Sequence, residues 1–439
     1  LEGRAQGQET GPGRIAFDFT PGPGAVILTL ASIDPADPIR DLRLVREDRA
    51  TRLDAGEIFN PDWLARLEGV QGLRFMDWMA TNNATLARAE DRPFPGDFSY
   101  APHGAPMEVM VALANTLEAD PWFTVPHLAE DALVRAMAEV VQRELAPGLR
   151  ASVEFSNEVW NWQFAQARWA DEAALARWGV RDAWVQFAAL RAAEVAEIWA
   201  GVFGAEAPAR LTRVIGTQTG WIGLEDMILD APLVVAEGLP APRLAFDAYA
   251  VAGYFAAGLG VPDKVPVVKD WLAQSLADAL ARADAESLEA AAREAFVQLH
   301  RFDMAVALAA QELADGSVTG SQEDTLARLA GTVFPYHKAV ADGAGLALVM
   351  YEGGSHVVGV GPMVDDPELT AFFTYLNYTP QMGALYDRLL ADWRTVSDAP
   401  FNAFVDVENP TKWGSWGALR HLGDMNPRWA RLAAGCSGC

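Results

Sequence analysis

Two glutamates stand in settings that a surface carboxylate does not need. Glu158 belongs to Val-Glu-Phe-Ser-Asn-Glu-Val-Trp-Asn-Trp at 153–162, and Glu352 to Leu-Val-Met-Tyr-Glu-Gly-Gly at 348–354. Each closes a short apolar run that reads as a strand. Asn157, Trp160, Asn161 and Trp162 crowd around the first, and Gly353 and Gly354 follow the second. Two carboxyl groups held about 5–5.5 Å apart are what retaining glycoside hydrolysis requires: one protonated to donate to the leaving oxygen, the other ionised to attack the anomeric carbon. Their surroundings must push the two pKa values apart. Arg74, in Leu-Arg-Phe-Met-Asp-Trp, would keep Glu352 ionised, because a nearby cation favours the charged form. The structural alternative for Arg74 is a salt bridge with Asp77 or with a buried glutamate. Asn157 would offer its amide to a sugar hydroxyl, and Glu158 is expected to hold its proton above the usual carboxylate range.

Such a pair needs a scaffold that brings residues two hundred positions apart to one mouth. The pattern predicts one. Strand-like runs at 41–45, 72–79, 121–127, 151–158, 212–220, 243–251, 346–354 and 401–407 alternate with helical stretches, among them 60–69, 107–119, 130–145 and 380–394. Asn60-Pro61 supplies an N-cap with proline at the first helical position. Eight strands separated by helices predict a (β/α)8 TIM barrel, of the α/β class. An open doubly wound sheet is disfavoured, since no Gly-x-Gly-x-x-Gly follows an early strand. The Ala-rich stretch at about 266–342 reads as a helical insertion between strands six and seven, expected beside the mouth. Residues 1–13 read as loose. The runs at 14–19 and 25–30, split by Pro-Gly-Pro-Gly, read as a hairpin-like pair. The division expected is therefore a tail and strand pair at 1–35 and a barrel at 36–439.

Barrel active sites lie at the C-terminal ends of the strands. Those ends turn polar and aromatic in this chain. They carry Arg74, Asp77, Trp78, Asn82 and Asn83 on strand two, His127 on three, Asn157 and Glu158 on four, and Gln218 with Trp221 on five. Strand six offers Asp247, Tyr249 and Tyr254, strand seven Glu352 and His356, and the segment after strand eight Trp413 and Trp416. Indoles are mostly buried as core, but a flat ring beside polar groups also suits the C–H face of a sugar. Lys-Trp-Gly-Ser-Trp-Gly at 412–417 is the strongest such candidate. His103, His300, His337 and His421 read as structural or exposed.

The combination of Glu-Phe-Ser-Asn-Glu-Val-Trp-Asn with the later Leu-Val-Met-Tyr-Glu-Gly-Gly resembles the large clan of retaining (β/α)8 glycoside hydrolases, over roughly residues 36–430. Ser-Asn-Glu-Val-Trp-Asn with Arg-Phe-Met-Asp-Trp-Met-Ala-Thr-Asn-Asn is similar to bacterial cellulase-like proteins. The resemblance implies that Glu158 is the acid/base and Glu352 the nucleophile. It also implies that Arg74 is the strand-two arginine, that Trp416 floors the subsite beside the cleaved bond, and that a strand-six tyrosine, Tyr249 or Tyr254, hydrogen-bonds the nucleophile. A non-catalytic glycan-binding protein on the same barrel and a transglycosylase are the other readings.

Composition narrows the partners. The chain has 439 residues and a formal net charge of −25. Nucleic acid is a poor partner for so acidic a chain, because phosphate binding needs a basic footprint. A neutral oligo- or polysaccharide fits. No apolar run reaches the roughly 18 residues of a membrane span, and no cofactor or metal motif appears. The two cysteines, Cys436 and Cys439, end the chain without a partner pair or a nearby histidine; a tight disulfide or free thiols is expected rather than zinc. No signal peptide is visible, and the start reads as processed, so a periplasmic or secreted location is the expectation.

Overall fold

The computed structural model describes residues 2–20, 22 and 24–436. It divides into two compact units, Leu1–Phe59 and Asn60–Cys439.

In the first unit the strands pair differently from the expectation. β1 (Glu2–Gly3), β2 (Ala5–Gly11), β3 (Arg14–Phe19) and β4 (Val26–Ile27) form two antiparallel pairs, β2 with β3 and β1 with β4. Residues 5–11 are thus not loose, and 14–19 does not pair with 25–30. The reason lies at Pro12-Gly13. Proline pre-sets the first turn position and Gly13, at φ 68°, takes the left-handed one. Residues 41–45 form no strand; Leu42 and Leu44 are exposed.

The second unit holds the sheet. β5 (Gly72–Arg74), β6 (Asp120–Val125), β7 (Ala151–Phe155), β8 (Leu211–Gly216), β9 (Ala248–Phe255) and β10 (Ala347–Ser355) run parallel in sequence order as a curved, nearly closed barrel-like sheet. They are the second to seventh of the expected strands. Parallel neighbours need long crossovers, and helices supply them. Met107–Leu117, Asp131–Glu144 and Trp184–Phe203 each turn an apolar stripe inward, with Leu133, Val134, Met137 and Trp199 fully or almost fully buried.

The segment 401–407 is not a regular strand. It gives one parallel bridge to β10, Ala403 to Gly353, with the Phe404 amide on the Gly353 carbonyl at 3.1 Å, and a second, Val407 to Leu419, within its own loop. Its other backbone groups turn to its own loop: Val405 N to Trp416 O, Ala418 N to Val405 O and Leu419 N to Asp406 O. Once those bonds are made, no ladder remains to extend. β9 also begins later than expected. Pro242–Ala245 is a 3₁₀ turn, and the Arg213 guanidinium and amide clamp Asp247 at 2.7–2.9 Å before the strand starts. Tyr254 consequently lies within the strand.

The insertion between β9 and β10 is helical. It comprises Val265–Ala285, Ala290–His300, Asp303–Asp315 and Phe334–Ala344, the last entered through a helical turn at Leu326–Arg328 and a π-helical stretch at Leu329–Val333. One turn reaches the end of β9, where the Ala256 and Ala257 amides donate to the Asp324 carbonyl at 3.0 and 2.9 Å. The last helix returns against the barrel, with His337 between Tyr249 and the Thr219 carbonyl. No described helix is long and apolar enough to cross a membrane. The expectation of a tight disulfide or free thiols at Cys436 and Cys439 falls outside what is described, since Cys439 is not among the described residues.

Candidate active site

Glu158 and Glu352 come together at the C-terminal ends of β7 and β10. Tyr351 joins them: its hydroxyl donates to Glu158 Oε1 at 3.3 Å, while the next residue, Glu352, accepts from Arg74 Nη1 at 3.1 Å. Consecutive strand residues normally face opposite sides. Here the register of β10 against β9 slips between Met350 and Glu352. This bulge lets both neighbours reach the interior, a common device for re-aiming a side chain. At the end of β7 the backbone is also unusual. Ser156 and Glu158 take φ of 60° and 41°, a region non-glycine residues seldom occupy, and one found at functional sites. Asn161 Nδ2 donates to Glu158 Oε2 at 3.0 Å across the same turn.

Arg74 is the hub. Its side chain is 4% exposed. It gives Glu154 Oε2 two donors, at 2.9 and 3.1 Å, and Asn157 Oδ1 one at 2.8 Å, besides its bond to Glu352. Its guanidinium lies 5.1 Å from the Tyr351 ring centroid and 5.6 Å from that of Trp122. Trp122 Nε1 donates to the same Glu154 oxygen at 2.9 Å. Asn157 passes the network outward, from its Nδ2 to Asn82 Oδ1 at 3.1 Å. Gln166 Nε2 reaches both Asn82 Oδ1 and the Asn157 carbonyl at 2.8 Å. Asn157 Nδ2 thus spends one of its two N–H donors on Asn82.

The electrostatics follow from this geometry. Burial outweighs the pull of Arg74, contrary to the expectation that Arg74 keeps Glu352 ionised, and pushes the Glu352 carboxyl up to about 7, with Glu158 acting the same way as burial. Burial likewise raises Glu154, again opposed by Arg74. One cation serves two buried carboxylates, so neither receives its full effect. Tyr254 hydrogen-bonds Glu352, and burial followed by that carboxylate keeps its phenol well above the usual range.

Tyr254, His356 and Trp416 form a ring cluster beside Glu352. His356 stacks on Trp416 with centroids 5.1 Å apart, and Tyr254 meets both at 5.7 and 6.1 Å. The glycines of the Trp416 loop are there for contact. A Cβ on Gly414, at φ 144°, would meet the Trp416 ring at 2.5 Å. Gly353 has the same character, facing Phe401 at 2.7 Å and the Gly253 carbonyl at 2.9 Å.

Of the two strand-six tyrosines, the structure brings Tyr254 to Glu352. Tyr249 is buried, 2.9 Å from His337 Nδ1. Trp160 is buried against Tyr351, with centroids 6.3 Å apart, and Gly216 leaves room for its ring edge. Other predicted site residues have their own contacts. His127 is buried against Trp169, its Nδ1 without a partner, and burial lowers it to about 4, so it is neutral. Trp78 stacks on Trp63, and Asp77 is exposed within electrostatic reach of Arg74 and Glu408. Gln218 Oε1 accepts from the Trp221 amide at 2.6 Å, and Trp413 is 62% exposed beside Lys412.

Glu154 and Tyr351 were not singled out from the sequence. The signal for Glu154 was present: Ala151, Val153 and Phe155 alternate with Ser152, Glu154 and Ser156, which turns Glu154 into the barrel, where a carboxylate needs a cation. Nothing in the sequence announces the bulge that aims Tyr351. Among the described residues, no group of three or more His, Cys, Asp or Glu could hold a metal ion.

No protein-family model matches the chain, and no curated protein does. Among solved structures it is similar to a 4-O-α-L-rhamnosyl-β-D-glucuronidase from Fusarium oxysporum in complex with Rha-GlcA, with 12% identity and a TM-score of 0.40. That match covers 84% of this chain and 59% of the other, so the chain spans about three fifths of that protein's length.

Proposed function

We propose that the protein is a retaining glycoside hydrolase acting on a β-linked glycan, with Glu158 as acid and base and Glu352 as nucleophile. The observation that supports this most is the Tyr351–Glu352 step, through which one bulge carries a hydrogen bond to Glu158 and a carboxylate bound to Arg74. In the first step Glu158 gives its proton to the glycosidic oxygen. The C1–O bond breaks, the leaving sugar departs as an alcohol, and a Glu352 oxygen bonds to C1. In the second step Glu158 takes a proton from water, whose oxygen displaces Glu352 from C1. Two inversions leave the anomeric configuration unchanged.

Near neutral pH the raised Glu352 carboxyl still holds part of its proton, and the first step needs a proton on Glu158 with Glu352 ionised. Substrate draws that proton to Glu158, whose O–H finds an acceptor in the glycosidic oxygen. Displacing water strengthens the attraction between Arg74 and ionised Glu352. Tyr254, His356 and Trp416 line the side of Glu352 that takes the bound sugar, and Asn157 offers it an N–H.

The test is covalent trapping. Incubation with 2-deoxy-2-fluoro-β-glycosyl fluorides of glucose, mannose, xylose and galactose should leave one glycosyl unit on the peptide carrying Glu352, read by mass spectrometry. Trapping on another residue, or turnover without trapping by any of the four, contradicts the assignment.

A further inference from the structure

Next to the Glu158 turn stands an aromatic wall that neither the barrel core nor the two-step chemistry uses. Trp162, four residues beyond Glu158, is 44% exposed and Trp221, on the loop after β8, is 49% exposed. Between them lies Trp184, the first residue of the helix Trp184–Phe203. Its ring centroid is 5.1 Å from that of Trp162 and 6.1 Å from that of Trp221. Trp184 is 7% exposed, yet its indole N–H has no acceptor, whereas buried indoles usually find one. Ile222, 47% exposed, extends the apolar surface. Two indoles left half in water on adjacent loops, over a third that is buried, form the kind of patch that marks a binding surface.

Its place says what it would bind. Asn161 ties the Trp162 turn to Glu158 at 3.0 Å, so the wall is continuous with the candidate proton donor. It stands on the segments that follow β7 and β8, whereas Glu352 and its ring cluster stand on β9, on and just after β10, and on the loop that carries Trp416. A general acid lies on the side of the oxygen that leaves. We infer that Trp162, Trp184 and Trp221 form the leaving-side binding platform for a neutral β-linked glycan chain of several sugars, with pyranose C–H faces laid on the exposed indoles. The protein would then cut within chains rather than release single sugars from small aglycones. This inference rests on the proposed hydrolase reading.

The test uses the full chain carrying Glu352→Gln, titrated calorimetrically with hexaoses of β-1,4-linked glucose, mannose and xylose. At least one should bind. Adding Trp162→Ala or Trp221→Ala should weaken that hexaose on the order of tenfold, and a disaccharide of the same sugar much less. Equal hexaose affinity in all three proteins overturns the platform, as does failure of all three hexaoses to bind. If Trp221→Ala instead converts a dimer to a monomer in sedimentation, the wall is a contact between copies and the glycan platform is overturned. Tryptophan-dependent hexaose binding by a wild-type protein that hydrolyses none of these chains would uphold the platform and remove the hydrolase reading, so the two fail separately.

Discussion

Arg74 serves three acceptors at once, and this division of one charge governs the acid–base behaviour of the site. Two of its nitrogens face Glu154, one of them also Asn157, and a third faces Glu352. Burial raises the Glu352 carboxyl up to about 7, and a shared Arg74 offsets that only in part. Activity should then fall above about pH 7, as the pair loses the proton that the first step needs. Replacing Glu154 by Gln frees Arg74 for Glu352. The alkaline limb of kcat/KM should move about one pH unit lower; an unmoved limb would make Glu154 a purely structural partner. The same shift bears on stability. A carboxyl raised from 4.5 to about 7 binds its proton more tightly in the folded state, so stability is lost as pH rises through that window. Glu352→Gln removes the loss. The variant should abolish turnover while unfolding at higher denaturant than wild type at pH 8, by roughly 3 kcal/mol at most, and the difference should vanish at pH 4. Near-wild-type turnover by this variant would remove Glu352 as nucleophile.

The elements that carry the site work through close contact more than through regular pairing. β10 slips register to aim Tyr351 and Glu352, and Gly414 gives up its side chain so that Trp416 can lie against the backbone. Gly414→Ala, strained at φ 144° and pressed on the ring, should destabilise by about 1–3 kcal/mol and raise KM for the glycan, measured by denaturant unfolding and steady-state kinetics. Much of this scale was legible beforehand. The alternation of β6, β7 and β10, the helix Pro380–Arg394 and the polar strand ends stood in the sequence where the structure has them. What alternation does not report is whether a partner strand exists. Leu42, Leu44 and Val45 look like a strand and form none, while 401–407 spends its backbone groups on the Trp416 loop. Pro12-Gly13 is a readable hairpin signal, and the later Pro-Gly-Pro-Gly offers a second turn of the same chemistry, so turn residues alone do not say which pair of runs will join.

At the scale of the whole molecule, the barrel explains why residues as distant as Arg74, Glu158 and Glu352 meet, and a net charge of −25 sets the field around them. An anionic chain should be repelled at long range and a neutral one should not. At 10 mM salt, kcat/KM for the best neutral glycan should exceed that for its carboxymethylated form. Raising salt to several hundred millimolar should narrow the gap, because exposed charges are then screened; a gap independent of salt would place discrimination in the cleft alone. The assignment of the two glutamates is tested most directly by Glu158→Ala on an aryl β-glycoside with a good leaving group. Such a substrate needs no protonation, so the burst of released aryl alcohol should persist while activity on the natural glycan is lost. Azide, which needs no general base, should then attack C1 in place of water, speed turnover and yield the β-glycosyl azide, identified by proton NMR. An α-configured azide, or equal slowing of both substrates with no response to azide, would contradict the account.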